Sequence, residues 1–509
     1  MSADFQPDME PTGNSPLLYY VGTTMKPKPP NIETILILMM SSGLFVISPP
    51  SIHLRLLNFA YRSHLWEERA NVLSQVLVLY GIVLLVLAIL SYISSLNGTT
   101  LISKVIRHSR CVLSALRKEV SPSIQHCFAS GYEAIWLLLA LVIGVGIRGY
   151  FLAQPMRYDE AYTFHFFVNK GFFNLFHYPI PNNHVLHTIL VKASTLIWGA
   201  HPASIRFPAF LAGIGLIPLI FCLCRTLQGS GVFASIAVSV FPYLVSYSTN
   251  ARGHSLLVFL TLALAFVGAQ TAKKPSVAGA TIVSSIAALG MITMPSMLFP
   301  IAGIYCWLAC LLFIKGQTLR TILYKFVIPC SLMTTIFTIV LYTPVILVSN
   351  GVESIVANRF VQSQPWQEFL SQVYPHFQKT SSDFFRDIPK VVVFIFIILV
   401  IIGIYGSVRK RDWSTLLILP SILLGSAIVF LVLHRIPFAR TWIYVIPFIL
   451  IIADFGFTYI TENISYRIRS FVRAVIVIVA VVFAVSLIST NTITSSSKPL
   501  RGRNQTRLH

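Results

Sequence analysis

Charge is scarce in this chain, and negative charge is scarcer still. Of 509 residues only 11% are charged, and Asp plus Glu total 17 against 38 Lys plus Arg. Soluble domains carry roughly 25% charged residues. So small a fraction beside 55% hydrophobic residues excludes a water-soluble globule and points to a polytopic membrane protein. The net charge of +21 would suggest nucleic acid in a soluble protein, but no basic-aromatic nucleic-acid module is present. The basic residues cluster instead in short loops between apolar runs, where they orient a membrane protein and meet anionic headgroups. Cysteines are few and badly placed for crosslinking. Five of the seven lie in or beside apolar runs, where they act as small hydrophobes, so no disulfide framework is expected. A basic leader is missing, so no cleavable signal is expected, and residues 1–30 read as a disordered polar tail. Internal repeats are also lacking, which gives no support to the inverted-repeat plan of many transporters.

What the chain has in abundance is apolar sequence. Runs long enough to cross a hydrocarbon core of ~30 Å as helix fall at 72–95, 134–153, 204–224, 231–248, 255–271, 276–293, 297–315, 323–348, 391–407, 414–433, 441–456 and 472–489, with a weaker one at 33–49. The fold class expected is therefore all-α, a transmembrane helical bundle of about 12–13 spans. Basic patches at Lys104–Lys118, Lys273/Lys274, Lys315–Lys325 and Arg409–Arg411 fix the orientation when all are cytoplasmic. The loop after 134–153 and those at 249–254, 294–296, 349–390 and 434–440 then lie outside. Residues 184–199 break this parity as a span and read as a half-buried helix against the outer leaflet, with a true short span the alternative. Apolar residues at helical spacing between 101 and 120, with basic residues between them, suggest an amphipathic helix on the cytoplasmic surface. The expected organisation is a tail (1–30), extra membrane segments with that basic helix (31–130), a membrane domain (131–348), an outer loop (349–390), C-terminal helices (391–489) and a basic tail (490–509).

The spans are read as nearly free of charge, with Asp454 the exception near an inner end, and polar chemistry gathers on the outer face. Just beyond 134–153 stands the carboxylate pair Asp159-Glu160. The same face collects His165, His177, Asn182, Asn183, His184, His187 and Lys192, then Asn250, Arg252 and His254, then the polar residues of 349–390, then His434, Arg435 and Arg440. Carboxylates ringed by imidazoles and guanidiniums at an interface suit attack on a phosphate-linked lipid. A carboxylate takes the proton of an acceptor hydroxyl, and guanidinium forks neutralise the departing phosphate. The plainer reading of Arg435 and Lys379 is headgroup contact. His184 and His187 would make half of a zinc site, but no second cluster stands at ligand spacing. The residues identify no cofactor outright; a divalent cation, Mg²⁺ or Mn²⁺, bridging Asp159 to a lipid phosphate is chemically reasonable.

Four segments in order, Tyr158-Asp159-Glu160-Ala161-Tyr162, Asn182-Asn183-His184, Ser204–Gly213 and Tyr247–His254, carry a resemblance to the GT-C membrane glycosyltransferases. The likeness is to the branch with protein O-mannosyltransferases, lipid A aminoarabinose transferases and core galacturonosyl transferases. It covers roughly 134–350, with an echo at Pro437–Tyr444. It implies an active site formed by extracytoplasmic loops and a sugar donor on a polyprenyl or dolichyl phosphate. The acceptor would be a lipid, glycan or protein hydroxyl. Asp159, with Glu160 beside it, would be the catalytic acid pair, Asp159 acting as base or binding a metal. His184, Lys192, Arg252 and Arg440 would contact the lipid phosphate, and Tyr162, Asn183, His187, Asn250 and His254 would be secondary contacts. Relatives often carry an acid where this chain has Asn250, which weakens a two-acid metal site. The membrane implied is the plasma or inner membrane of a bacterium or archaeon, or the endoplasmic reticulum of a eukaryote. A transporter or lipid flippase is the competing reading, and an inactive scaffold of the same fold a third.

Overall fold

The computed structural model describes residues 110–112, 114–115, 121–128, 131–179, 181–273, 275–349, 355 and 362–490, without the side chains of 122, 123, 126 and 127. All belong to one of the two units into which the chain divides, Pro50–Val76 with His108–His509. The expected spans at 33–49 and 72–95, nearly all of the amphipathic helix at 101–120, and the tails lie outside the described residues.

The architecture is all-α, with no strand among the described residues. The helices are α1 (Gly131–Leu152), α2 (Tyr158–Thr163), α3 (Val185–Trp198), α4 (Pro202–Thr226), α5 (Val232–Val240), α6 (Pro242–Ser248), α7 (His254–Thr271) and α8 (Val277–Thr293). There follow α9 (Leu298–Ile314), α10 (Ile328–Val348), α11 (Trp366–Phe385), α12 (Lys390–Arg409), α13 (Trp413–Leu433), α14 (Val445–Thr461) and α15 (Tyr466–Ser489). Among the described residues nine helical stretches are long and apolar enough to cross a membrane, so this is a multi-pass membrane protein. A helix satisfies its own backbone, which is why such runs form helices in lipid. With lipid as apolar as leucine, close backbone approach takes over the work of association. A Cβ on Gly425 of α13 would stand 2.5 Å from the backbone of Gly303 in α9, and one on Gly456 of α14 would collide with the Leu399 carbonyl of α12. Those glycines set the α9–α13 and α12–α14 contacts.

One expected span is broken. Residues 231–248 form α5 and α6, separated at Phe241, whose φ −60° and ψ 114° leave the helix. Pro242 has no N–H to give the Val238 carbonyl. The freed carbonyls hold a charge that the sequence reading overlooked: Arg148, fully buried in α1. Its guanidinium donates to the carbonyls of Val238 (3.0 Å) and Ser239 (2.7 Å) and to Ser248 Oγ (2.8 Å). The spans are thus not charge-free apart from Asp454, and Arg148 and Asp454 are each met largely by backbone groups. Asp454 caps α5, accepting from the Gly231 N–H at 2.8 Å and the Ala234 N–H at 3.2 Å.

Helix α3 does not cross the bundle. Fourteen residues span only about 21 Å. His184, just before it, accepts from the Gly253 N–H, and Ser194 near its end donates to the Ser204 carbonyl in the first turn of α4. Ala251 and Arg206, neighbours of those two partners, both bond Glu160. Both ends of α3 therefore lie at one end of the bundle.

Opposite charge marks the other end. Glu133 at the start of α1 pairs with Arg225 at the end of α4 and lies 3.9 Å from Arg473 of α15. Lys410 pairs with Glu462, and Lys315 donates to the Ala272 carbonyl. Gln270 and Thr415 tie these segments to Thr226 and Leu227. The patches around Lys273, Lys315 and Arg409–Arg411 thus share one end, and the α1–α4 connection lies at the other.

Candidate active site

Successive residues of a helix point about 100° apart, and α2 uses this to separate its two acids. Glu160 faces inward and is fully buried. Its carboxylate accepts from Arg206 Nε (2.9 Å) and Nη2 (2.7 Å) and from the N–H groups of Ala251 (2.6 Å) and Arg157 (2.8 Å). Arg206 in turn donates to the carbonyls of Leu152, Gln154 and Pro155. This knot joins the end of α1, the start of α4 and the 249–254 loop. A carboxylate with four donors and no exposure has no lone pair to offer a substrate, so in this arrangement Glu160 serves the structure, out of reach of the cavity. Arg206 went unassigned in the sequence reading, though it sits inside the Ser204–Gly213 segment.

Asp159 faces a cavity of about 570 Å³. Its side chain is half-exposed and pairs with Arg252. The cavity is walled by Tyr158, Asp159, Tyr162, Asn182 and His184 from the first loop and by Arg252 and His254 from the second. Met294, Pro295 and Ser296 contribute from the α8–α9 connection, and Arg435, Pro437, Phe438 and Arg440 from the α13–α14 connection. With Ile355 of the expected loop 349–390, five connections that parity placed outside thus converge on one cavity. Leu298, Phe299 and Leu433 add an apolar wall.

The second loop is built to hold its polar groups still. Gly253 donates its N–H to His184 Nδ1 at 2.8 Å, and a Cβ at Gly253 would stand 3.0 Å from His184 Cβ and 2.9 Å from Thr293. Because Nδ1 accepts, the proton of the neutral ring sits on Nε2. Burial, with Arg252, His254, His187 and Arg440 nearby, holds His184 well below the usual histidine range, so the ring is neutral at pH 7. Burial also pulls the Arg252 guanidinium down, with Asp159 opposing. The His184 and His254 rings meet edge to face at 5.2 Å. Both ring nitrogens of His254 and the Arg252 Nε are buried without a partner. Arg440 lies 4.3 Å over the Phe438 ring.

Other expected contacts fall elsewhere. Lys192 donates to the Val168 carbonyl at 3.0 Å and is outside the lining. Asn183 is spent on structure: it donates to the carbonyls of Leu175 and His177 and accepts from Thr188. His187 is fully buried, also outside the lining, with neither ring nitrogen partnered. Asn250 is buried as well, its backbone carbonyl accepting from the Arg252 N–H at 2.6 Å. No group of three or more His, Cys, Asp or Glu among the described residues is disposed to hold a metal ion.

The expected outer loop 349–390 supplies a helix, α11. Its buried face carries Phe369, His376, Thr380 and Phe384. His376 Nε2 accepts from Trp442 Nε1 at 2.8 Å, two residues beyond Arg440, so α11 braces that wall. The spacing of those buried positions, seven residues and then four and four, is that of one helical face. No protein-family model matches this chain, and no curated protein matches it either.

Proposed function

We propose that the chain is an integral membrane glycosyltransferase. It moves a sugar from a polyprenyl-phosphate or dolichyl-phosphate donor to an acceptor hydroxyl on the outer or lumenal face, with inversion. The observation that carries this reading is one reachable carboxylate, Asp159, set beside Arg252 and across the same cavity from Arg440, under a partly apolar wall.

The acceptor oxygen attacks C1 of the sugar while its proton passes to Asp159. The bond from C1 to the phosphate oxygen breaks, and its electron pair leaves with the lipid phosphate. Arg252 and Arg440 stabilise that charge with guanidinium N–H groups, and His184 with its Nε2–H. The apolar residues accompany the first carbons of the lipid chain. Tyr162 and His254 border the sugar, and the acceptor is a lipid, glycan or protein. The basic end faces the cytoplasm by the positive-inside rule, which puts the cavity outside, in the plasma membrane or the endoplasmic reticulum according to the organism. The competing reading is a transporter or flippase, which needs ionisable groups in its spans to serve a substrate. Arg148 and Asp454 are instead occupied by backbone groups and serine hydroxyls.

The test is release of free polyprenyl phosphate by purified protein from a panel of polyprenyl-phosphate sugars, comparing wild type with Asp159→Asn. Release lost in the variant, with donor binding kept, is the expected result and names the sugar. Equal release by both removes Asp159 as the base. Release from no donor turns the assignment to transport.

A further inference from the structure

We propose that the cavity takes its phosphate ester without a divalent cation, the guanidiniums of Arg252 and Arg440 supplying the charge that a metal would. The identity of the ligand rests on the transferase reading; the charge balance does not.

Mg²⁺ and Mn²⁺ sites are built from oxygen, with carboxylates as their anchors. Among the described residues the lining offers a single carboxylate, Asp159, and its partner is Arg252. Glu160, one residue on, turns the other way and is filled by four N–H donors. Asn250, on the loop that brings Arg252, is outside the lining and carries no charge. His184 cannot ligate through Nδ1, which the Gly253 N–H occupies, and its other nitrogen bears a proton.

The balance of charge points the same way. Among the described lining residues the guanidiniums of Arg252 and Arg440 outnumber the carboxylate of Asp159. A released phosphate monoester, about −2 at neutral pH, offsets that positive charge, whereas a divalent cation would add to it. The groups left without partners are suited to an anion as well. Arg252 Nε is a buried N–H with no acceptor, and the His254 ring, 1% exposed on the same wall, has both nitrogens unpaired. Phosphate oxygens can accept from the two N–H groups among these, the Arg252 Nε–H and the one His254 ring N–H, whereas a cation can meet only the bare His254 nitrogen.

The test is calorimetric titration of the purified full chain in detergent with geranyl phosphate, first with chelator, then with Mg²⁺ or Mn²⁺. The expected affinities agree within about twofold, and Arg440→Gln weakens binding at least about tenfold, as losing a charge-assisted hydrogen bond does. Arg440→Lys keeps the charge and recovers part of the loss, and an unchanged melting temperature shows that both variants fold. Spin resonance of added Mn²⁺ shows no bound ion that Asp159→Asn releases. Binding that requires metal overturns the proposal, as does a Mn²⁺ site lost in Asp159→Asn, or no binding under either condition. Metal-free binding without turnover of any sugar donor sinks the transferase reading alone. Turnover that stops with chelator sinks this proposal and leaves that reading standing.

Discussion

About 100° of helical rotation decides what Asp159 and Glu160 can do. Glu160 and Arg206 are both at most 1% exposed and share two hydrogen bonds. Breaking one side of a buried pair leaves the other charge uncompensated, at a cost of about 3–5 kcal/mol. Glu160→Gln is therefore expected to destabilise the protein by that order, read as a lowered unfolding midpoint in detergent, with activity lost only in proportion to unfolding. Asp159→Asn, half-exposed, should leave the midpoint near wild type and abolish turnover. Equal midpoints for Glu160→Gln and wild type would show that Glu160 is not the knot's centre. The sequence displayed both acids and their basic surroundings, yet not this division of labour. Adjacency in sequence says nothing of which acid meets an arginine 46 positions away. His184 and Arg252 were legible because their neighbours Asn183 and Gly253 form recognisable local patterns. Lys192 misled because its ammonium is taken by the Val168 carbonyl, 24 positions earlier, a partner that local spacing does not reveal.

At the scale of elements, backbone chemistry explains where the reading of spans held and where it did not. The long apolar runs became helices, but Pro242 cut one of them, and the cut created the acceptors for Arg148. Both residues were visible; that they answer each other was not, because nothing in their spacing links a proline to an arginine 94 positions earlier. Helix α11 carries a titratable joint. His376 must be neutral to accept the Trp442 N–H, and burial, helped by Lys379, lowers it from 6.5. A histidine with a depressed folded pKa binds fewer protons than in the unfolded chain. Its stabilising contribution is therefore full above pH 6.5 and is lost as pH falls from 6.5 through the lower folded value. The groups facing the joint from its neighbours are uncharged: Phe430 of α13 and Trp442 of the α13–α14 connection. Melting temperature should thus fall on acidification below that point, and His376→Gln, which keeps an acceptor without titrating, should flatten this part of the profile. Parallel profiles for the two proteins would remove His376 as the source.

For the whole molecule, the decisive property is that its two ends differ. Lys410, Lys315, Arg225 and Arg473 stand at one end with Glu133 and Glu462, and the cavity lies at the other. Parity counting read this arrangement from the sequence because each helical crossing reverses the side, so a few basic loops constrain every connection between them. Residues 184–199 were the weak link, and α3 resolves it by keeping both ends at the cavity's end of the bundle. The identities of the cavity partners were harder to read, since they arise from five connections spread between Tyr158 and Thr441. Orientation itself is open to direct measurement. Lys170 and Arg411 are exposed at opposite ends, so each can be replaced by cysteine and treated with a membrane-impermeant maleimide. Labelling above the wild-type background is expected for Lys170→Cys in intact cells or sealed right-side-out vesicles, and for Arg411→Cys only after permeabilisation. The reverse pattern would put the cavity in the cytoplasm, where nucleotide sugars rather than lipid-linked ones are the abundant donors, and would undo the choice of donor along with the topology. Labelling of both in intact membranes would put the two positions on one side, so that an even number of crossings separates them, and the span count would then have to change.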